Sequence, residues 1–172
     1  MSIDLSDISL VVFDMDGTLT TTKSGAKFCK TPDDWQLLPG RLETCQQLAA
    51  QGIKMGIATN QGGVAFGYLD AREMVNEIER VAEVLSLPMT HVQVCFSHPK
   101  GTIERYCEES PRRKPRPGML LEILNATGVR AAHALMVGDR EEDKQAAANC
   151  GMKFVSAQEF FEEEDATTRN LF

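Results

Sequence analysis

Short apolar runs alternate with longer segments of helical periodicity along the chain, and this alternation restricts the possible folds more than any other feature. Runs with the length and composition of buried strands cover residues 10–13, 53–58, 92–96, 134–137 and 152–155. Strands that alternate with helices pair in parallel, because each helix carries the chain back along one face of the sheet. We therefore expect an α/β fold with an open, mostly parallel sheet and helices on both faces. A chain of 172 residues fits one such domain, spanning residues 1–172.

The segments between the strands carry recognisable helix signals. Helices are predicted over residues 41–51, 70–86, 102–108, 117–125 and 140–149. The clearest of them begins at Asp70, which can cap the helix, and Glu73 follows at the spacing of a capping box. Residues 17–40 and 110–117 lack periodicity and contain turn-forming residues, so both are predicted to be loops.

Composition disfavours several classes of protein. With 18 basic and 25 acidic side chains, the chain has a net charge of −7, which disfavours non-specific binding to nucleic acid. No apolar run approaches the roughly 20 residues that span a bilayer, and the first residues lack the features of a signal peptide. We therefore expect a cytoplasmic protein with no membrane association and no obligate protein partner. Its five scattered cysteines are expected to be reduced, and the acidic run from Glu159 to Asp165 to be solvated.

Polar side chains stand directly after three of the predicted strands, at Asp14, Thr59 and Asp139. In open parallel sheets, ligands bind outside the carboxyl ends of the strands, so we expect these side chains to converge. The first group contains Asp14 and Asp16, two carboxylates that can share a hard cation such as Mg2+. The same two residues can instead cap a loop, as aspartates often do. Gly17 follows them and permits a sharp turn close to a ligand.

Three further polar groups have both a functional and a structural interpretation. Residues 59–63 supply a hydroxyl, two amides and a glycine pair, which can cradle an anion or form an ordinary turn between a strand and a helix. Residues 112–117 hold four basic side chains, which can clamp a phosphate or form a solvated loop. Asp139 can bind a cation or cap a helix, and Asp143 lies one helical turn beyond it.

Taken together, the four groups resemble the haloacid dehalogenase superfamily of phosphatases. The matching positions are Asp14 to Thr18, Thr59 to Gln61, Lys114, and Gly138 to Asp139 with Asp143. Residues 59–61 and 113–119 are similar to a subfamily, IIIA, that contains heptose bisphosphate phosphatases, histidinol phosphatases and polynucleotide 3′-phosphatases. Residues 17–25 look most like a polynucleotide 3′-phosphatase, whereas residues 136–147 look more like the heptose enzymes.

The resemblance implies covalent catalysis at Asp14, which would attack phosphorus and form an aspartyl-phosphate. Asp16 would protonate the leaving oxygen and then act as the base for the attacking water. Lys114 would neutralise charge on Asp14 and on the transferring group. The residues expected to bind the substrate phosphate are Thr59, Asn60, Gln61 and Arg113.

The resemblance also implies Mg2+ as the cofactor. Its expected ligands are Asp14, the backbone carbonyl of Asp16, and Asp139. Asp143 is expected to lie behind this site, where it would orient Lys114 or a metal-bound water.

The expected function is therefore Mg2+-dependent hydrolysis of a phosphomonoester. The substrate is expected to be a sugar phosphate or bisphosphate, or a polynucleotide 3′-phosphate end. A receiver-like signalling module, which accepts a phosphoryl group without turnover, is the alternative. Only 42 residues separate Asp16 from Thr59 and 54 separate Thr59 from Lys114, so no large cap domain is expected.

A structural zinc site often accompanies the heptose-type members, and the resemblance to its ligand set is incomplete here. Ser97 stands where a histidine ligand would fall, and no second cysteine follows Cys107 before Lys114. Cys95, His98 and Cys107 leave at most three donors for a metal that takes four. We expect Cys95 to be a buried thiol and His98 an ordinary loop residue.

Overall fold

The computed structural model describes residues 3–161, except residues 28, 30 and 32. Its main sheet has five parallel strands in the order β5-β4-β1-β6-β7. These strands are β1 (Leu10–Phe13), β4 (Lys54–Asn60), β5 (Val92–Cys95), β6 (Ala134–Gly138) and β7 (Lys153–Ser156). The helices are α1 (Arg41–Ala50), α2 (Ala71–Val84), α3 (Gly118–Thr127), α4 (Glu141–Cys150) and α5 (Ala157–Phe160). The open α/β architecture expected from the alternating pattern is confirmed.

The central strand β1 is buried on both faces, and alternate side chains belong to different cores. Val11 and Phe13 pack with buried residues of α1 and α2, such as Cys45 and Ile78. Leu10 and Val12 pack instead with apolar residues of α3 and α4. This division follows from the two-residue period of a strand and covers both faces of the sheet with helices.

Strand register aligns the carboxyl ends of three neighbouring strands. Phe13, the last residue of β1, lies opposite Ile57 in β4 and Val137 in β6. The residues that follow these positions therefore emerge along one edge of the sheet. The predicted cap of α2 is confirmed, because the Asp70 side chain accepts hydrogen bonds from the backbone N–H groups of Arg72 and Glu73.

Two of the sequence predictions are wrong. The segment 17–40 contains an antiparallel hairpin, formed by β2 (Thr20–Thr22) and β3 (Trp35–Leu37), where a loop was expected. Each strand has only three residues, and a long connection separates the two. A segment this short shows no clear alternation of apolar and polar residues. Residues 102–108 form only a 3₁₀ turn at Glu104–Tyr106 instead of a helix. The N–H groups of Thr102 and Ile103 both donate to the carbonyl of Ala65. These residues are therefore hydrogen-bonded to the loop after β4 and not to a helix of their own.

The intervals that would hold a cap contain only elements of the core and the hairpin, among the residues that the structure describes. No helix in the described part of the chain is long and apolar enough to cross a membrane. Of the acidic run predicted at 159–165, residues 162–165 lie outside the described residues. All five cysteines are free thiols.

Candidate active site

The site begins where β1 ends at Asp14, whose N–H donates to the carbonyl of Val137 in β6 at 2.9 Å. The chain then turns tightly, and the carbonyl of Met15 accepts backbone hydrogen bonds from residues 18, 19 and 20. Gly17 has φ +82°, and a Cβ atom there would lie 2.5 Å from Oδ2 of Asp139. Glycine is therefore required both by the backbone and by the close approach of Asp139.

A buried ammonium group joins two of the predicted aspartates. Lys114 Nζ lies 2.7 Å from Oδ1 of Asp14 and 2.6 Å from Oδ1 of Asp143, and it also donates to the carbonyl of Ala58 at 2.7 Å. The Lys114 side chain is almost completely buried. All three of its protons therefore have acceptors, which is the condition for keeping a charge in the interior.

Asp14, Asp139 and Asp143 form a cluster in which one carboxylate oxygen from each lies within 4.8 Å of the others. Asp139 is exposed, whereas Asp14 and Asp143 are buried. The Lys114 ammonium is bonded to Asp14 and Asp143, so the three carboxylates of the cluster exceed the positive charge beside them. Hard oxygen donors with unbalanced negative charge suit a cation such as Mg2+, and the donor set therefore fits the expected metal. Because Asp143 Oδ1 is already bonded to Lys114, Asp14 and Asp139 are the better candidates for ligands.

Gln61 connects two of the other predicted residues. Its Nε2 atom donates to Oδ2 of Asp16 at 2.8 Å and to Oγ1 of Thr59 at 2.9 Å. Thr20 Oγ1 lies 3.5 Å from Oδ1 of Asp16. Gln61 and Thr20 therefore hold the two carboxylate oxygens of Asp16. The backbone N–H of Gln61 donates to the carbonyl of Cys95, so it is already used in the protein and does not point to a ligand as a donor.

Asn60 and Arg113, expected to bind substrate, make protein contacts in the structure. The Asn60 side-chain amide bonds both the N–H and the carbonyl of Lys114, each at 3.0 Å. Arg113 Nη1 donates to the carbonyl of Ser97 at 3.2 Å and lies beside Gly62. Asn60 therefore ties the loop after β4 to the Lys114 loop, and Arg113 lies next to the glycine pair that follows Gln61.

Burial raises the pKa of several acids at the site. For Asp16 the main cause is desolvation, with a further increase from the charge on Asp14, while Gln61 opposes the shift. Desolvation and Asp14 likewise raise the pKa values of Asp139 and Asp143. Burial disfavours the Lys114 ammonium, but the adjacent Asp14 and Asp143 carboxylates outweigh this effect, so its pKa lies above the ordinary value.

A cavity of about 270 Å³ opens beside Asp16, between the β2–β3 hairpin and α2. Its wall includes Glu77, a carboxylate that the sequence analysis missed and that is only 3 % exposed. A charged residue on the buried stripe of α2, between Met74 and Ile78, was the signal that could have revealed it. Trp35 also lines this cavity.

Cys95, His98 and Cys107, the three donors of the incomplete zinc-ligand set, do not form a cluster with metal-ligand spacing in the described structure. Cys95 is buried, with Sγ 3.9 Å from the carbonyl of Ser97. His98 Nδ1 accepts a hydrogen bond from the N–H of Lys100, and Cys107 is exposed. Across residues 3–161, apart from the three omitted positions, the cluster with metal-ligand spacing is the aspartate cluster described above.

Comparison with known proteins gives one consistent class. The family described as polynucleotide kinase 3 phosphatase matches residues 9–161. D-glycero-beta-D-manno-heptose-1,7-bisphosphate 7-phosphatase of Yersinia pestis is 30% identical over 151 residues, which cover 85% of this chain and 79% of that protein. The Pasteurella multocida enzyme of the same name is 31% identical, with 83% and 77% covered.

A solved structure agrees with the sequence comparisons. D,D-heptose 1.7-bisphosphate phosphatase from B. bronchiseptica, complexed with magnesium and phosphate, superposes with a TM-score of 0.70. Its sequence is 28% identical, and the match covers 86% of this chain and 79% of that one. Fold and site thus define a phosphatase of the haloacid dehalogenase superfamily. Within that class, the chain belongs to the polynucleotide kinase 3 phosphatase family.

Proposed function

We propose that this phosphatase is a Mg2+-dependent phosphomonoesterase that hydrolyses a sugar phosphate or bisphosphate through an aspartyl-phosphate on Asp14. The main support for the proposal is the pair of ion pairs that the buried Lys114 ammonium forms with Asp14 and Asp143, beside the exposed Asp139. A receiver-like module without turnover is less well supported, because the relatives are phosphatases.

In the first step, Oδ2 of Asp14 attacks phosphorus and the bond from phosphorus to the ester oxygen breaks. Oδ1 of Asp14 stays bonded to Lys114, which leaves Oδ2 as the attacking oxygen. The leaving oxygen takes the proton of Asp16, whose pKa is raised by burial and therefore favours the acid form. In the second step, Asp16 accepts a proton from water, which attacks phosphorus and releases phosphate and free Asp14.

Asp14, Asp139 and the backbone carbonyl of Asp16 would hold the cation. When bound, Mg2+ offsets the repulsion between the anionic nucleophile and the phosphate. The Asp143 carboxylate would serve mainly to hold Lys114, since its Oδ2 accepts the N–H of Arg140 at 3.1 Å and its Oδ1 accepts Lys114.

The residues after β4 would act on substrate and on the catalytic groups in different ways. Thr59 and Arg113 would bind phosphoryl oxygens, through the hydroxyl and the guanidinium. Gln61 would position Asp16, and Asn60 would position Lys114, because their side-chain amides bond these residues. For Asn60 this positioning role is proposed in addition to the expected contact with substrate.

The sugar phosphate is favoured over a polynucleotide 3′-phosphate end by two observations. The relatives that align over most of the chain are named for a heptose bisphosphate. On the cavity wall, Asp16, Glu77 and Asp139 outnumber Lys27 and Arg140, and this excess of negative charge disfavours the many phosphates of a strand more than the one further phosphate of a sugar bisphosphate. The family match keeps the polynucleotide end as the second candidate.

The proposal is tested by comparing kcat/KM for D,D-heptose 1,7-bisphosphate and for a 3′-phosphorylated oligonucleotide, each with Mg2+ and with EDTA. We expect at least a 100-fold preference for the heptose ester and loss of turnover in EDTA. A reversed preference would assign the polynucleotide end as substrate. Absence of Mg2+-dependent phosphate release from both would overturn the proposed function.

A further inference from the structure

The cavity beside Asp16 is bounded by the hairpin strand β2 on one side and by Met74 and Glu77 of α2 on the other. Asp16 forms part of its wall, so a group that leaves phosphorus with the proton of Asp16 would enter it. Its volume, about 270 Å³, is close to the lower end of the range for drug-sized ligands, roughly 300 Å³. A single sugar-sized leaving group therefore fits.

Glu77 lines this cavity and has few hydrogen-bond donors around its carboxylate. It is 97 % buried, since only 3 % of its surface is exposed. Among the described residues, the donor to its carboxylate is the thiol of Cys29, 3.6 Å from Oε1. A thiol is a weak donor and a carboxylate can accept about four hydrogen bonds. Burial of such a group is costly, so the arrangement calls for donors from a ligand.

We infer that Glu77 determines substrate specificity: its carboxylate accepts hydrogen bonds from hydroxyl groups of a polyol leaving group that occupies this cavity. The inference rests on the proposed function, because the ester oxygen must face Asp16 for the rest of the substrate to reach Glu77. It deepens that function by naming the residue that selects a hydroxylated small molecule.

The other lining residues favour a polyol over an amine or an alkyl group. Lys27 and Arg140 line the same cavity and offset two of its three carboxylates, those of Asp16, Glu77 and Asp139, so the wall attracts a cation only weakly. Trp35, Leu69 and Met74 give it an apolar wall, which suits the C–H surface of a sugar. A purely alkyl leaving group would fill the space but would leave the Glu77 carboxylate without donors.

The test is binding, measured by isothermal titration calorimetry in the presence of Mg2+. Three phosphonates, whose C–P bond cannot be hydrolysed in this way, serve as probes: hexitol 6-phosphonate, hexylphosphonate and 6-aminohexylphosphonate. The wild-type protein is expected to bind the hexitol probe at least 10-fold more tightly than the other two. Glu77→Gln should lose most of this preference, because the amide has one acceptor oxygen and no charge.

Glu79→Gln is the matched control, since Glu79 is an exposed residue of the same helix. It should keep the wild-type preference within twofold. Equal affinities of the wild-type protein for the hexitol and alkyl probes would overturn the inference, and so would an unchanged preference in Glu77→Gln. Tightest binding of the amine probe would also overturn it, because the pocket would then select a cation.

Turnover separates this inference from the function on which it rests. Binding of the hexitol probe through Glu77, without hydrolysis of any phosphomonoester, would refute the proposed function and leave the pocket assignment standing. Conversely, Mg2+-dependent hydrolysis with no preference for hydroxylated probes would support the phosphatase and refute the role of Glu77.

Discussion

Replacing Glu77 with Gln is expected to stabilise the folded protein at alkaline pH and to change its stability little at pH 4. The substitution keeps the size of the side chain and its place on the buried face of α2. It removes a carboxylate that must be ionised at high pH in a buried position. The effect therefore depends on pH, which separates it from a change in packing.

The pKa of Glu77 is raised from 4.5 to about 7, first by burial and then by the negative charge of Asp16. Asp34 adds to the increase, whereas the Cys29 thiol and Arg80 oppose it. In the unfolded chain the carboxyl loses its proton near the ordinary value, while the folded protein keeps the proton until about pH 7. Stability is therefore lost between these two pH values, and the loss is complete above the higher one.

The interval between the ordinary value of 4.5 and the folded value of about 7 sets the size of the effect. It corresponds to about 3 kcal/mol of unfolding free energy above pH 8, and to almost nothing at pH 4. For a domain of this size, about 3 kcal/mol raises the melting temperature by about 6–12 °C.

Urea denaturation of wild type, Glu77→Gln and Glu79→Gln, at pH 4, 6 and 8.5 in EDTA, measures this difference. Other acids of the site titrate in all three proteins, so the difference between Glu77→Gln and wild type reports the titration of Glu77 together with its coupling to Asp16. Glu79→Gln should follow wild type at every pH, because Glu79 is exposed. A Glu77→Gln protein that gains no stability between pH 4 and 8.5 would refute the reasoning.

Three further outcomes are expected. Asp14→Asn should lower Mg2+-dependent release of p-nitrophenol from its phosphate by at least about 1,000-fold, measured by absorbance, and comparable turnover would contradict the nucleophile assignment. Gly17→Ala should weaken Mg2+ binding in calorimetry at least about 10-fold, because its Cβ would meet Asp139 at 2.5 Å; unchanged affinity would mean that Asp139 is not a ligand. Asn60→Ala should cost about 2 kcal/mol in urea denaturation, since it removes both bonds to the Lys114 backbone, and a loss under about 0.5 kcal/mol would argue against that tie.

Much of the fold could be predicted because local sequence carries its signals. The apolar runs around Phe13 and Val137 are short enough to be only buried strands, and Asp70 marks the start of α2. The hairpin strands β2 and β3 were missed because their pairing, as between Thr20 and Leu37, joins residues far apart in sequence. The helix predicted at 102–108 failed for a similar reason, since Ala65 takes its backbone donors.

The chemical types of the site residues could be predicted, but not what each side chain contacts. Spacing after the strands indicated Asp14 and Asp139, and parallel pairing brings such positions to one edge of the sheet. The sequence contained no sign that Asn60 would bond the backbone of Lys114, 54 residues away. Glu77 was overlooked because an amphipathic helix pattern describes its apolar residues and not the exceptions among them.

By itself, the order of apolar runs, glycines and acids along the chain determined the parallel sheet and the group of residues at its edge. These features depend on periodicity and on short-range geometry, and both can be recognised within a few consecutive residues. Only the tertiary structure decided that one buried ammonium joins Asp14 to Asp143, and that Glu77 faces a cavity next to Asp16. Ion pairs and hydrogen bonds form between groups that are close in space. Folding brings together residues that are far apart in the sequence, so these partners cannot be recognised from the sequence alone.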